Sequence, residues 1–177
     1  MRKKNMALLI VALLVLSIGV GVTVAFLVSS SHPVVNTFTV GEVKITLAET
    51  TGPEYKLSPG VSHLKDPAVT VKAESEGCWL YVKLDKSADF DAYCAFEIES
   101  GWTMLPSDNT VFFRQVENTE ADQVFRVLKD DRVTVHETLT EEILNAMTVF
   151  PTLTFTAFAI QSEGVSTPQD GWQILNS

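Results

Sequence analysis

Three histidines, two cysteines and several acidic turns are the side chains of this 177-residue chain whose types can do chemistry. His32, His63 and His136 are isolated, and no His-Glu-x-x-His pair is present to hold zinc. Cys78 and Cys94 both fall on the apolar phase of alternating runs. Two readings stay open for them. If their strands pair in register they can form a disulfide, worth about 3 kcal/mol in the chain-entropy picture; otherwise they are two reduced core thiols. Neither has a neighbouring histidine or asparagine that would mark a nucleophile. Asp85, Asp89 and Asp91 surround one turn, Asp130-Asp131 occupy another, and Glu141-Glu142 open a helical stretch. None has the spacing of a calcium loop. Solvated turn carboxylates and the helix dipole account for them. Trp79, Tyr81, Trp102, Phe112, Phe113 and Trp172 can be read as a carbohydrate platform, but packing in a core or between subunits is the favoured reading. With no Ser/His/Asp order, phosphate loop or dinucleotide fingerprint, the expectation is a protein without a catalytic site, metal or cofactor.

The elements that position these residues read as short strands. Phe38 and Val40, then Val43, Ile45 and Leu47, alternate with polar residues, with a slip at Gly41-Glu42 that marks a bulge or turn. Thr51-Gly52-Pro53 and Ser58-Pro59-Gly60 break the chain. Another run starts at Val69 and Val71 and ends near Glu76-Gly77. Cys78, Leu80, Val82 and Leu84 then face one way, against Trp79, Tyr81 and Lys83. Cys94, Phe96 and Ile98 repeat the pattern, Val111 to Val116 and Gln123 to Leu128 are further strands, and Leu153 to Ile160 is the last long one. Two short helices are expected, Glu141 to Ala146 behind Thr140 and Pro168 to Leu175 behind Thr167. Eight or nine short strands at this spacing predict an antiparallel β-sandwich or jelly roll.

The first 25 residues read differently. Arg2-Lys3-Lys4 precedes an apolar run from Met6 to Val28, the opening of a secretory signal, and the charge bias sends the rest of the chain outward. Thr23-Val24-Ala25 places the cut between Ala25 and Phe26, with Ser29-Ser30-Ser31 as a second option. The run is also long enough to span a bilayer as an uncleaved anchor. Beyond it lie ten basic against 22 acidic residues, a net −12. That balance argues against nucleic acid and against docking on anionic lipid, so the membrane enters only through the N-terminal segment. The organisation expected is residues 1–25 as signal peptide, 26–40 as an N-terminal strand segment and 41–177 as the β domain.

Several motifs, in order, resemble the TasA and camelysin group of exported Gram-positive proteins, whose signal peptides are cut by the dedicated peptidase SipW. They are the leader with its Thr23-Val24-Ala25-Phe26 junction, Asn36-Thr37-Phe38-Thr39-Val40-Gly41-Glu42-Val43 followed by Ile45-Thr46-Leu47 and Glu49, Pro59-Gly60 with Lys65-Asp66-Pro67 and Val69-Thr70-Val71, and Phe150 to Gln161 with Trp172 beyond. The resemblance covers about half the chain. It implies a secreted or cell-surface structural protein, a jelly-roll subunit of biofilm-matrix fibres rather than an enzyme. Its partners would be itself, head to tail, or a related matrix subunit, besides signal peptidase during export. In such fibres the N-terminal segment of one subunit completes a sheet of the next, which here implies Phe26, Leu27, Val28, Val34, Val35, Phe38 and Val40 as the exchanged strand. The same segment can instead pair within its own domain, or stay tethered to the membrane. A monomeric secreted or tethered binding domain is the alternative function. Relatives filed as metallopeptidases find no ligand set in this chain to support that activity.

Overall fold

Alternation of apolar and polar residues at period two is the dominant local signal, and it folds as antiparallel sheet. A computed structural model describes residues 42–51 and 55–177. The leader, the Ala25–Phe26 junction, the whole 26–40 segment, His32 and Gly52-Pro53 lie outside the described residues. The protein is mainly β, with antiparallel sheets and three short α-helices. The strands are β1 (Ile45–Ala48), β2 (Ser62–Leu64), β3 (Ala68–Val71), β4 (Cys78–Lys86), β5 (Cys94–Ala95), β6 (Thr103–Leu105), β7 (Asp108–Val116), β8 (Gln123–Arg126), β9 (Arg132–Val135) and β10 (Leu153–Gln161). The helices are α1 (Phe90–Tyr93), α2 (Glu141–Ala146) and α3 (Pro168–Leu175).

Two three-stranded sheets, ordered β1-β3-β8 and β2-β9-β5, are stitched into one bent layer. The Lys65 N–H donates to the Asp131 carbonyl at 2.7 Å and the Val127 N–H to the Pro67 carbonyl at 3.0 Å, so the pairing carries on through the bend. The bend has a chemical cause. Pro67 has no N–H for the ladder, and across from it Asp130 and Asp131 sit at φ 54° and 53°, in the left-handed region that interrupts a strand. The second layer is a four-stranded sheet, β10-β4-β7-β6.

The main core lies between these layers, where Val69, Val71 and Val127 of the bent layer cluster with Cys78, Leu80, Val82 and Leu84 of β4. Each such side chain removed from water contributes roughly 1.5–3 kcal/mol. The other face of the four-stranded sheet is also covered. Tyr81, Leu105, Val111 and Trp172 form a cluster under α3, with Trp79, Phe113 and Phe158 packed against it. The Tyr81 hydroxyl donates to the Pro168 carbonyl at 2.8 Å. A Cβ on Gly171 would come within 2.4 Å of that hydroxyl oxygen, so the helix carries glycine in mid-course to lie this close to the sheet. Trp79 and Tyr81 are therefore packing residues, and the carbohydrate platform is not formed by them.

Several expectations need correction. The run from Val69 ends at Val71, not near Gly77, because Ser75 turns back to the Lys72 carbonyl through Glu74 at φ 63°. The Cys94–Ile98 alternation yields a two-residue strand and one isolated bridge from Ile98 to Leu128, since its partner chain is bent there. Strands β2, β6 and β9 and the single turn α1 were not expected. The disulfide reading fails as well. Cys78 lies on β4, whose neighbours are β10 and β7, whereas Cys94 lies on β5, paired with β9. The two are free, buried in separate apolar clusters.

Candidate functional site: an open sheet edge beside an apolar cleft

Strand β10 is an edge. It pairs with β4 along its whole length, Leu153 opposite Lys86 through Gln161 opposite Cys78, and no other strand among the described residues pairs with its outer side. Its nine residues, LTFTAFAIQ, contain no charge and no proline. None of the nine is fully buried, while five residues of the neighbouring β4 are. Leu153, Phe155, Ala157 and Ala159 turn toward the core, and Phe158 and Ile160 toward α3. Only Thr154 and Thr156 are exposed.

At the Leu153 end of this edge opens a cleft of about 850 Å³. Leu47 and Ala48 of β1 line it together with Leu57, Pro67, Val133, Val135, Leu153 and Phe155, and Phe90 and Cys94 also contribute. Phe150, on the approach to β10, lines it while 63 % exposed, next to Val149 at 73 %. With the apolar lining of the cleft the two make a contiguous apolar surface, the kind that marks an interaction site.

The rim carries a polar network. Lys65 donates to both Glu49 carboxylate oxygens, at 2.9 and 3.1 Å. The pair is substantially withdrawn from water, with 12 % of the Lys65 side chain and 26 % of the Glu49 side chain exposed. The Tyr55 hydroxyl donates to Glu49 at 2.9 Å and Thr51 Oγ1 donates at 2.7 Å. Burial by itself would raise the Glu49 carboxyl, but these donors together hold it below its ordinary value. The Tyr55 phenol is pushed up, by burial first and by Glu49 beside it. Lys65 also stands 5.3 Å from the Tyr55 ring centre and 5.6 Å from that of Phe155. His63 lines the cleft with its Nε2 enclosed and without a hydrogen-bond partner. Asp66 ties the turn after β1, accepting from the backbone N–H of Thr50 at 3.0 Å and of Thr51 at 3.2 Å and from the Thr50 hydroxyl.

The other sequence candidates disperse. His136 Nε2 meets the Asp91 carbonyl at 3.2 Å, remote in the chain from His63. Asp85 pairs with Lys83, Asp91 with Lys86 and Asp131 with Arg126, so the acidic turns are occupied by cations of this chain. Among the described residues no group of three or more His, Cys, Asp or Glu is arranged to hold a metal ion. Burial pushes the Cys78 thiol up to about 11 and raises that of Cys94, which disfavours the thiolate at both. Among the described residues no helix is long and apolar enough to cross a membrane. The Glu49–Lys65–Tyr55 network was missed in the sequence. Its one signal was a lysine and an aspartate standing directly before Pro67, between two apolar strands. The chain matches no family model, no curated protein and no solved structure.

Proposed function

We propose that this chain is an exported structural subunit that assembles by strand exchange, the N-terminal segment of one copy adding to the open edge of β10 in the next, on a sandwich of jelly-roll type. The observation that carries it is the β10 edge, nine residues long without charge or proline. Such an edge offers a row of backbone donors and acceptors to any extended segment, and natural sheets otherwise blunt it with charge, proline or a bulge. Residues 26–40 supply an apolar segment of suitable length, with Phe26, Leu27, Val28, Val34, Val35, Phe38 and Val40. Exposed Val149 and Phe150 and the adjoining cleft give its side chains somewhere to go. Exchange that runs head to tail without closing makes a filament. The leader, with cleavage between Ala25 and Phe26, places the assembly outside the cell, in a matrix or on the surface, and the role is structural rather than catalytic. The likeness to the TasA and camelysin group points the same way.

A second reading, a monomeric secreted or tethered binding domain, is favoured by the cleft itself, whose volume falls within the roughly 300–1,000 Å³ of small-ligand pockets. Electron microscopy and sedimentation separate the two, applied to protein starting at Phe26 beside protein starting at Gly41. Assembly gives filaments from the longer form and monomers from the shorter. Monomers from both at high concentration would discard assembly in favour of the binding domain.

A further inference from the structure

The described residues carry ten lysines and arginines. Seven of them sit in ion pairs. Of the other three, Lys56 and Arg132 are exposed and lie in water, but Arg114 is half-buried. Its place on the sheet is unusual. Along β7 it falls on the same phase as Phe112 and Val116, both part of the main core, and its cross-strand partner is Leu80, which is fully buried. An arginine on the inward phase with no carboxylate of the described residues paired to it breaks the pattern the rest of the strand obeys, and such breaks concentrate at functional sites.

The surroundings hold the guanidinium in place without neutralising it. Its Cζ lies 4.0 Å from the Phe125 ring centre and 5.4 Å from that of Trp102. Gly101, at φ +85°, presents bare backbone to it, and a Cβ there would stand 3.1 Å from Nη2. Trp102 is itself fixed by donating its indole N–H to the Arg126 carbonyl at 2.8 Å. Arg114 Nε is enclosed without a partner, and among the described residues no ion pair involves the terminal nitrogens. Glu99, the acidic residue nearest the Gly101 turn in the chain, accepts instead from the Ser100 N–H at 2.7 Å and hydroxyl at 2.9 Å.

We infer that Arg114, held against Phe125 and Trp102 beside the Gly101 turn, is a receptor for a carboxylate group. A guanidinium held against aromatic rings keeps its fork of N–H donors in one orientation, and that fork matches a carboxylate with two parallel bonds. A partly desolvated charge without a partner is costly, and an incoming carboxylate offsets that cost. A phosphate is the poorer match, because a single cation faces it and the chain beyond the leader carries a net −12 that repels a dianion. The carboxylate has two sources, a small free acid or the acidic surface of a second copy of this chain. The inference stands on Arg114 alone and does not require assembly through β10.

The test is nuclear magnetic resonance on the 15N-labelled full chain, kept in detergent for its apolar N-terminus, following the Arg114 Nε–H and Trp102 indole N–H signals. Sodium acetate is titrated against sodium chloride at constant ionic strength. Expected is a saturable shift of both signals with acetate alone; the Trp102 shift, the one readable in the variants, is abolished in Arg114→Met and its affinity weakened by about tenfold in Arg114→Lys, whose point charge lacks the fork. The Trp102 signal reports whether each variant is folded, and if Arg114→Met is not, Arg114→Lys carries the comparison. A shift that is linear, equal in chloride or undiminished in the folded variant overturns the site. A dilution series without acetate assigns the source. Signals that move with protein concentration and are restored by acetate identify a second copy, and signals that stay still identify a separate acid.

Discussion

The four-stranded sheet has two edges, and they are built in opposite ways. At one edge β6 is three residues long, and its pairing with β7 slips between Met104 and Leu105, an irregularity that twists an edge away from further pairing. At the other edge β10 runs straight for nine residues, with unbroken register and no charge. The two edges also differ in backing: β10 borders β4 and packs into both the main core and the cluster under α3, whereas β6 borders β7 and gives only Leu105 to the latter. A bulge is one of the devices that blunt an edge, and the unbroken β10 register has none. Among the described residues the contrast is between a long, uninterrupted edge at β10 and a short, irregular one at β6.

The largest effect on this contrast comes from the layer that backs β10. Trp172 is 8 % exposed and packs against Tyr81 and Phe158, ring centres 5.5 and 5.3 Å away. Trp172→Ala is expected to cost about 3–5 kcal/mol, read as a lowered urea midpoint, and to replace ordered filaments with amorphous aggregate. Next comes the edge itself. Thr154 and Thr156 are exposed, so changing both to lysine should move stability by no more than about 0.5 kcal/mol, yet abolish filaments in electron micrographs by charging the edge. Assembly that survives both lysines would remove β10 from the account.

A smaller effect attaches to the turn after β1, across the cleft. The Thr50 hydroxyl and the Thr50 and Thr51 backbone N–H groups lower the Asp66 carboxyl from 3.8 to about 2. A lowered carboxyl contributes stability that is present above the unfolded value and lost as pH falls through the folded one. The urea midpoint should therefore decline between about pH 4 and pH 2, and Asp66→Asn should flatten that decline. An identical decline in the variant would assign it elsewhere. The smallest effect is expected at β6. Met104 is 52 % exposed, and Met104→Lys should leave filaments unchanged and stability within about 0.5 kcal/mol. Loss of filaments there would erase the difference between the edges.

Much of this architecture was legible because period two is a strong signal wherever both faces of a strand are distinct. Alternation over residues 78–84 and 153–160 placed β4 and β10 and sorted their faces. The caps placed both longer helices. Thr140 accepts from the Ile143 N–H, and Thr167 from the Asp170 N–H. What stayed hidden depends on contacts distant in sequence. Strands β2 and β6 are three residues long, too short for a period to register, and β9 is a four-residue strand that follows directly on the Asp130-Asp131 turn. The cysteines shared an apolar phase, but phase says nothing about which strands are neighbours, and theirs are not. The cleft network joins Glu49, Tyr55 and Lys65 across a turn, with no spacing rule to announce it. Arg114 could have been noticed, since it interrupts the Phe112–Val116 phase, but only the structure shows that no carboxylate of the described residues answers it.

The most direct measurement of the central claim is cross-linking between two differently marked populations. One preparation starting at Phe26 carries Thr156→Cys on β10, the other carries Val35→Cys in the N-terminal segment, and the two are mixed and treated with a short bismaleimide. Cys78 and Cys94 are buried and stay out of the reaction. Strand exchange predicts a cross-linked pair that forms only in the mixture and requires one chain of each kind. A cross-link confined to single chains, seen when both changes are placed in one molecule at high dilution and absent from the mixture, would show that the segment returns to its own domain and would contradict the account.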